Sequence, residues 1–240
     1  MSGAAPRALP TPPGALAYLA VDKPAGRAVH GRDGLLPELR AAFGEDLHLA
    51  HRLDRDTSGV LLLARGKDAL AAAHAAWPGV EKVYVARTRG VPEPREGAVE
   101  RPLLEHRTGK PELLLRALRA AFGPARAGQL VAGRRVKELP GIPPPGRTSV
   151  HPAGRPARTE YRVLEDEGAT ALVELRPREG RMHQLRVHLA ALGTPVLGDR
   201  FYDPAAKDGD APPLLRLVRL VWSDPPGAPA GTRWTWEARL

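Results

Sequence analysis

Residues 51–64, HRLDRDTSGVLLLA, constrain this chain of 240 residues more than any other stretch. The apolar run that begins at Val60 and reaches Ala64 is too short for a helix, and it reads as a buried strand. Directly before it, Asp54 sits among Arg52, Arg55 and the small turn formers Thr57, Ser58 and Gly59. A loop held by a buried strand is a natural place for a reactive side chain. The neighbouring positive charge favours the ionised carboxylate, a form that serves as a nucleophile or as a base. A Ser-His-Asp triad built from Ser58, His51 and Asp54 is excluded. The three crowd one loop, and the chain has no GxSxG elbow.

Around this segment the pattern is one of short strands with interspersed helices. Strands are expected at Leu16 to Val21, Val60 to Ala64, Lys82 to Arg87, Arg158 to Leu164, Ala169 to Arg176, Leu214 to Val221 and Thr232 to Ala238. Helices are expected at Gly34 to Phe43, Lys67 to Trp77, Pro111 to Phe122 and Met182 to Leu192, with a further piece at Gln129 to Leu139. Asp166-Glu167-Gly168 reads as a hairpin turn. Without a strict βαβ rhythm, the order argues for an α+β fold or a mixed sheet. Residues 1–15, rich in Ala and Pro and without the apolar core of a signal peptide, read as a disordered tail.

The chain contains no cysteine, which removes disulfides and thiolate metal sites and is compatible with the cytoplasm. No apolar run approaches the roughly 20 residues of a membrane-spanning helix. Formal net charge is +9, a balance that suits a polyanionic partner such as nucleic acid, although an Arg-rich composition bias contributes to it. The charge is concentrated. Residues 105–155 hold 10 Lys and Arg against 3 Asp and Glu, and this stretch reads as a basic insertion, either a solvated loop or a surface for phosphates.

A second constellation follows at Gly180 to Leu189, GRMHQLRVHL. Leu185, Leu189 and Leu192 share one helical face and anchor it to the core. Arg181 falls at the start of that helix, an unfavourable place for a cation beside the positive end of the dipole. It either points into water or pairs with a carboxylate. His183 and His188 are five apart and do not share a face as a zinc pair would, so no metal site is expected.

These residues together resemble the RluA family of pseudouridine synthases. His51 to Gly59 match its HRLDxxTSG signature. Residues 180–202 match GRxHQ(I/L)RxHLxxxGxPxxGDxxY, with Gly198, Asp199 and Tyr202 at its end. Lys82 and Tyr84 match a Lys-x-Tyr strand. Lys23 to Gly26 with Val29 and His30 match a KPAG…VH segment, and Gly154 to Tyr161 match a PAxTxY strand. Five motifs occur in the family's order, from about Leu16 to Tyr202. The separate S4-type domain of many members is expected to be absent, and the insertion at 105–155 looks longer than in compact members.

The resemblance implies a pseudouridine-synthase-type mixed, mainly antiparallel sheet in a single catalytic domain over residues 16–240. It implies an isomerase that turns a uridine of RNA into pseudouridine, with no cofactor and no metal. Asp54 is implied as the essential carboxylate, acting through a covalent adduct or by steering a sugar intermediate. Arg181 is implied as its cationic partner, and Tyr84 as the ring packed on the target base and a participant in the late proton transfer. By itself Tyr84 also suits the core. Arg52 is implied to enter the space left by the flipped uridine. His51, Arg55, Thr57, Lys82, His183, Gln184 and Arg186 complete the set expected near RNA, and His51, Thr57 and Ser58 are read as loop-shaping hydrogen-bonders. The partner is a stem-loop of transfer or ribosomal RNA, without membrane or obligate protein partner, and the protein is expected to be a cytoplasmic monomer. Two other readings remain. A non-catalytic RNA-binding or ribosome-assembly module on the same fold would be marked by loss of Asp54, Tyr84 or Arg181, and all three are present. A metal-dependent nuclease would need ligand spacings that the chain does not show.

Overall fold

In the computed structural model, residues 6–31, 33–107, 111–123, 127, 142–144, 146–207 and 211–240 are described. The chain forms two compact units, Met1–Arg87 with Gly209–Leu240, and Thr88–Asp208.

The first unit is built on a mixed sheet. Its strands are β1 (Arg7–Ala8), β2 (Tyr18–Lys23), β3 (Leu47–Leu49), β4 (Ser58–Arg65), β5 (Glu81–Arg89), β11 (Leu215–Ser223) and β12 (Arg233–Glu237). They run in the order β1-β2-β4-β11-β5, with β3 beside β4 and β12 beside β11. The β4–β11 pair is parallel, and the other pairs in this unit are antiparallel.

Alternation along β2 and β4 explains why the run Val60 to Leu63 is apolar throughout. Tyr18, Ala20, Val60, Leu62 and Ala64 face one core with Trp222, Trp234 and Trp236. Leu19, Val21, Leu61 and Leu63 face the other, which is closed by Leu35 and Leu39 of α1 (Leu35–Phe43). Ala73 of α2 (Lys67–Ala76) joins the tryptophan side. A strand covered on both faces has no position for a polar side chain.

The tail expected at 1–15 is corrected from Arg7 onward. Arg7 and Ala8 pair with Asp22 and Val21, Leu9 and Ala15 are buried, and the Trp234 indole donates to the Pro13 carbonyl at 3.1 Å. Pro and Ala suggested disorder, but these few apolar contacts and backbone bonds dock the segment on the sheet edge.

The second unit carries β6 (Glu96–Glu100), β7 (Leu103–His106), β8 (Arg147–Val150), β9 (Arg158–Asp166) and β10 (Thr170–Pro177). Strands β10, β9 and β6 pair antiparallel in that order, and β7 pairs antiparallel with β8. The helices are α3 (Pro111–Phe122) and α4 (Gln184–Ala191). The hairpin at Asp166 to Gly168 is present as expected, with the Gly168 N–H donating to Asp166 Oδ1 at 2.8 Å. Strand β8 and the end of β7 lie inside the stretch read as an insertion, and α3 buries Leu114 and Leu118 against Leu104 and Ile142. The helix expected at Gln129 to Leu139 lies outside the described residues. Among the described residues, the elements make up an α+β fold with four α-helices and a mainly antiparallel arrangement.

One glycine has a packing reason that the sequence pattern alone does not reveal. Gly59 has φ +108, and a Cβ there would lie 2.0 Å from the Leu217 carbonyl oxygen. Gly59→Ala is therefore expected to lower the unfolding free energy by at least about 3 kcal/mol, from backbone strain and forced separation of β4 from β11. Urea unfolding followed by tryptophan fluorescence measures this, and an unchanged midpoint would contradict it.

Candidate active site

Asp54 lies in a tight turn at the entry to β4, where the Thr57 N–H donates to the Asp54 carbonyl at 3.2 Å. The Thr57 side chain is buried, Asp54 is half-buried and Arg52 is exposed. The turn is held from two sides.

On one side stands Lys23, the last residue of β2 and fully buried. Its ammonium donates to the Pro24 carbonyl at 2.9 Å and to the Arg55 carbonyl at 2.8 Å. Burial pulls its pKa down to about 8, and the negative charges of Asp56 and Asp54 oppose that fall. At neutral pH Lys23 therefore remains mainly a cation, lodged under the two carboxylates.

On the other side stands His51. Its Nε2 accepts the Leu62 N–H at 3.0 Å, which places the ring proton on Nδ1, and its ring stacks on Trp77 at 4.8 Å and 21°. Burial pushes the His51 pKa down to about 3; a hydrogen bond with the Arg52 backbone works against that and the nearby Lys82 charge adds to it. His51 is thus a neutral loop-shaping group, as its place in the turn suggested.

Tyr84 on β5 packs its ring against the tryptophan-lined core. Burial raises its pKa, and the negative charge of Asp54 raises it further. The phenol stays protonated, and it lies within the electrostatic reach of the carboxylate. Lys82, on the same strand, is buried. So the first unit brings together Asp54, Tyr84, Lys82, His51 and Thr57, with Lys23 and Trp77 as supports that sequence reasoning had given no role. A lysine two residues beyond the apolar run Tyr18 to Val21 was the available signal for Lys23.

Arg55, expected near RNA, is exposed. Its guanidinium forks onto Asp56, at 2.9 Å and 3.3 Å, and not onto Asp54. Adjacent corners of one turn bring those two side chains together, so Arg55 neutralises its neighbour.

The remaining expected residues belong to the second unit. Helix α4 begins at Gln184, later than expected, and His183 before it adopts φ 57. Arg181 therefore precedes the helix and does not occupy its first turn. Its guanidinium donates to the Pro156 carbonyl at 3.3 Å, and its N–H donates to Gln184 Oε1 at 3.1 Å. Partial burial, followed by the charge of Arg155, lowers its pKa from the ordinary arginine value. Gln184 is buried and donates to the Arg158 carbonyl at 3.0 Å. Arg186 is buried on Asp199, with both bonds at 2.6 Å. The polar atoms of Gln184 and Arg186, both expected near RNA, are thus engaged inside the unit. His183 Nδ1 meets the Tyr202 hydroxyl at 2.8 Å. Among the described residues, no three His, Asp or Glu side chains gather as a metal site would require.

A half-buried carboxylate in a turn whose charge acts on a phenol, with a GRxHQ helix entry elsewhere in the chain, has known counterparts. Residues 17–191 match the family model described as RNA pseudouridylate synthase. The chain belongs to that family. The dual-specificity RNA pseudouridine synthase RluA of Escherichia coli K12 is 34% identical over 212 residues, covering 85% of this chain and 81% of RluA. The mitochondrial pseudouridylate synthase RPUSD4 of Xenopus tropicalis is 39% identical over 197 residues, covering 76% of this chain but only 56% of its own length. The chain thus spans little more than half of some curated relatives. Among solved structures, human RNA pseudouridylate synthase domain containing 4 superposes with a TM-score of 0.65 at 27% identity, covering 93% of this chain and 85% of the human chain. Human RNA pseudouridylate synthase domain containing 1 superposes with a TM-score of 0.68 at 21% identity, a likeness of fold. The pseudouridine-synthase fold, mixed and mainly antiparallel, is the fold expected. No helix among the described residues is long and apolar enough to cross a membrane.

His51 makes stability fall on the acid side. Unfolded, it takes up a proton near pH 6.5; folded, it resists until about pH 3. Between these values the unfolded chain holds the extra proton, so stability declines as pH falls, by up to about 1.4 kcal/mol per unit. His51→Gln is expected to flatten that decline, measured as urea midpoints from pH 7 to pH 4. An unchanged slope would contradict the assignment.

Proposed function

We propose that this protein isomerises uridine to pseudouridine in structured RNA, with Asp54 as the reacting carboxylate. The observation that carries this reading is the half-buried Asp54, on the turn held by Lys23 and His51, whose charge acts on the protonated phenol of Tyr84 on β5. The reaction breaks N1–C1′ and forms C5–C1′ on the same sugar. The C5 hydrogen leaves as a proton and N1 gains one. Neither redox change nor phosphoryl transfer is involved, so the chemistry needs no cofactor.

The target uridine has to leave its stack before its glycosidic bond is within reach, at a cost of a few kcal/mol. Unpaired loop uridines cost least, which favours a stem-loop of transfer RNA or large-subunit ribosomal RNA. Exposed Arg52 is the proposed side chain that fills the vacated space. Tyr84 is the proposed ring under the flipped base and the proposed participant in the late proton transfer. Arg181 completes the proposed set on the strength of its motif. The net +7 of residues 105–155 is proposed to meet phosphates. A monomer working in the cytoplasm fits a cysteine-free chain and the location of such RNA.

Tritium release from transfer and ribosomal RNA labelled at uridine C5, with EDTA present, tests this directly. Wild-type protein is expected to release label, whereas Asp54→Asn loses at least about 10³-fold in rate while binding RNA and unfolding like wild type. Release by Asp54→Asn at the wild-type rate would overturn the assignment.

A further inference from the structure

The second unit carries an aromatic and cationic patch to which the reading above assigns only the general charge of Arg147. Phe201, in the segment after α4, is partly exposed. The guanidinium carbon of Arg147, at the start of β8, lies 4.5 Å from the Phe201 ring centroid. That of Arg200, which is exposed, lies 5.4 Å away, and that of buried Arg186 lies 5.3 Å away. Among the described residues, neither Arg147 nor Arg200 pairs with a carboxylate. Other surface arginines of this unit are neutralised, Arg178 by Glu160 at 2.9 Å and Arg176 by Glu174 at 3.1 Å.

The patch is also rigid. Asp199, fully buried, accepts both Arg186 bonds and the Phe201 N–H at 3.0 Å, which fixes the ring from beneath. The Tyr202 hydroxyl accepts the Thr148 N–H at 3.0 Å, which fixes the residue next to Arg147. A planar cation laid on an aromatic ring is held flat. A nucleobase stacks on such a guanidinium plane as well as on an aromatic ring. Stacking with an adjacent phosphate-binding cation is how proteins hold unpaired nucleotides without reading their sequence.

We propose that Arg147 and Phe201, flanked by Arg200, seat an unpaired nucleotide of the substrate RNA other than the uridine that is isomerised. The base stacks on Arg147, and Arg200 meets a neighbouring phosphate. The inference rests on the RNA-modifying reading above and names a second point of contact for the same substrate.

The test uses the full chain and two labelled RNAs of equal length, a hairpin with an unpaired loop and a blunt duplex, followed by fluorescence anisotropy. Arg147→Lys keeps the charge and loses the plane. It is expected to weaken hairpin binding at least about fivefold and to leave duplex binding within about twofold of wild type. Phe201→Leu is expected to act the same way. Arg200→Ala is expected to lower the slope of log affinity against log salt by about one. Thermal melting of each variant confirms that it is folded. Wild-type affinity for the hairpin in folded Arg147→Lys, equal losses on hairpin and duplex, or a wild-type protein without preference for the hairpin would each overturn the seat. The two readings fail separately. Binding that depends on Arg147 without any tritium release would strike the isomerisation alone, and release with binding indifferent to Arg147 would strike the seat alone.

Discussion

Gly59 is the point on which the first unit turns. In the sheet register it lies across from Lys23 of β2 on one side and Leu217 of β11 on the other. The backbone of β11 comes so close that no side chain fits between them. This fixes where the turn carrying Asp54 must end. It also places the Lys23 ammonium beneath that turn, where it holds the Arg55 carbonyl. The carboxylate is positioned by the sheet, and a loop anchored in this way loses little order when a substrate arrives.

The titratable side chains around Asp54 are tied to partners of their own. Lys23 spends its charge on two carbonyls, His51 gives up protonation to accept the Leu62 N–H, and Arg55 is committed to Asp56. Each would be a plausible actor in a reaction if judged by residue type alone. Their hydrogen bonds tie them to the turn and its neighbours, and the charge of Asp54 bears on both Lys23 and Tyr84. In the second unit the same holds for Gln184 and Arg186, whose polar atoms are occupied in the interior.

Much of this was legible in the sequence, for definite reasons. The unbroken apolar run at Val60 to Leu63 announced a strand covered on both faces, and alternation around it places successive residues in two different cores. Helices α1 and α3 stood out because their leucines repeat at helical spacing. Short elements were not legible. β1, β3, β7 and β8 have two to four residues each, too few to show a period, and they exist because neighbouring strands offer backbone partners. Motif spacing singled out Asp54, Tyr84 and Lys82, which lie in one unit. It could not distinguish an arginine facing solvent from one buried on a carboxylate 13 residues later, as Arg186 is on Asp199. That distinction depends on the tertiary path of the chain.

The central claim is that the turn at Asp54 and the ring of Tyr84 receive the same base. A crystal structure of the protein with a stem-loop RNA carrying 5-fluorouridine at the modified position tests it most directly, because fluorine at C5 cannot leave as a proton does and the reaction stalls. The account predicts a flipped nucleotide stacked on the Tyr84 ring, with an Asp54 carboxylate oxygen in contact with, or bonded to, its sugar or base. A nucleotide bound elsewhere, with Asp54 facing only protein and water, would contradict it.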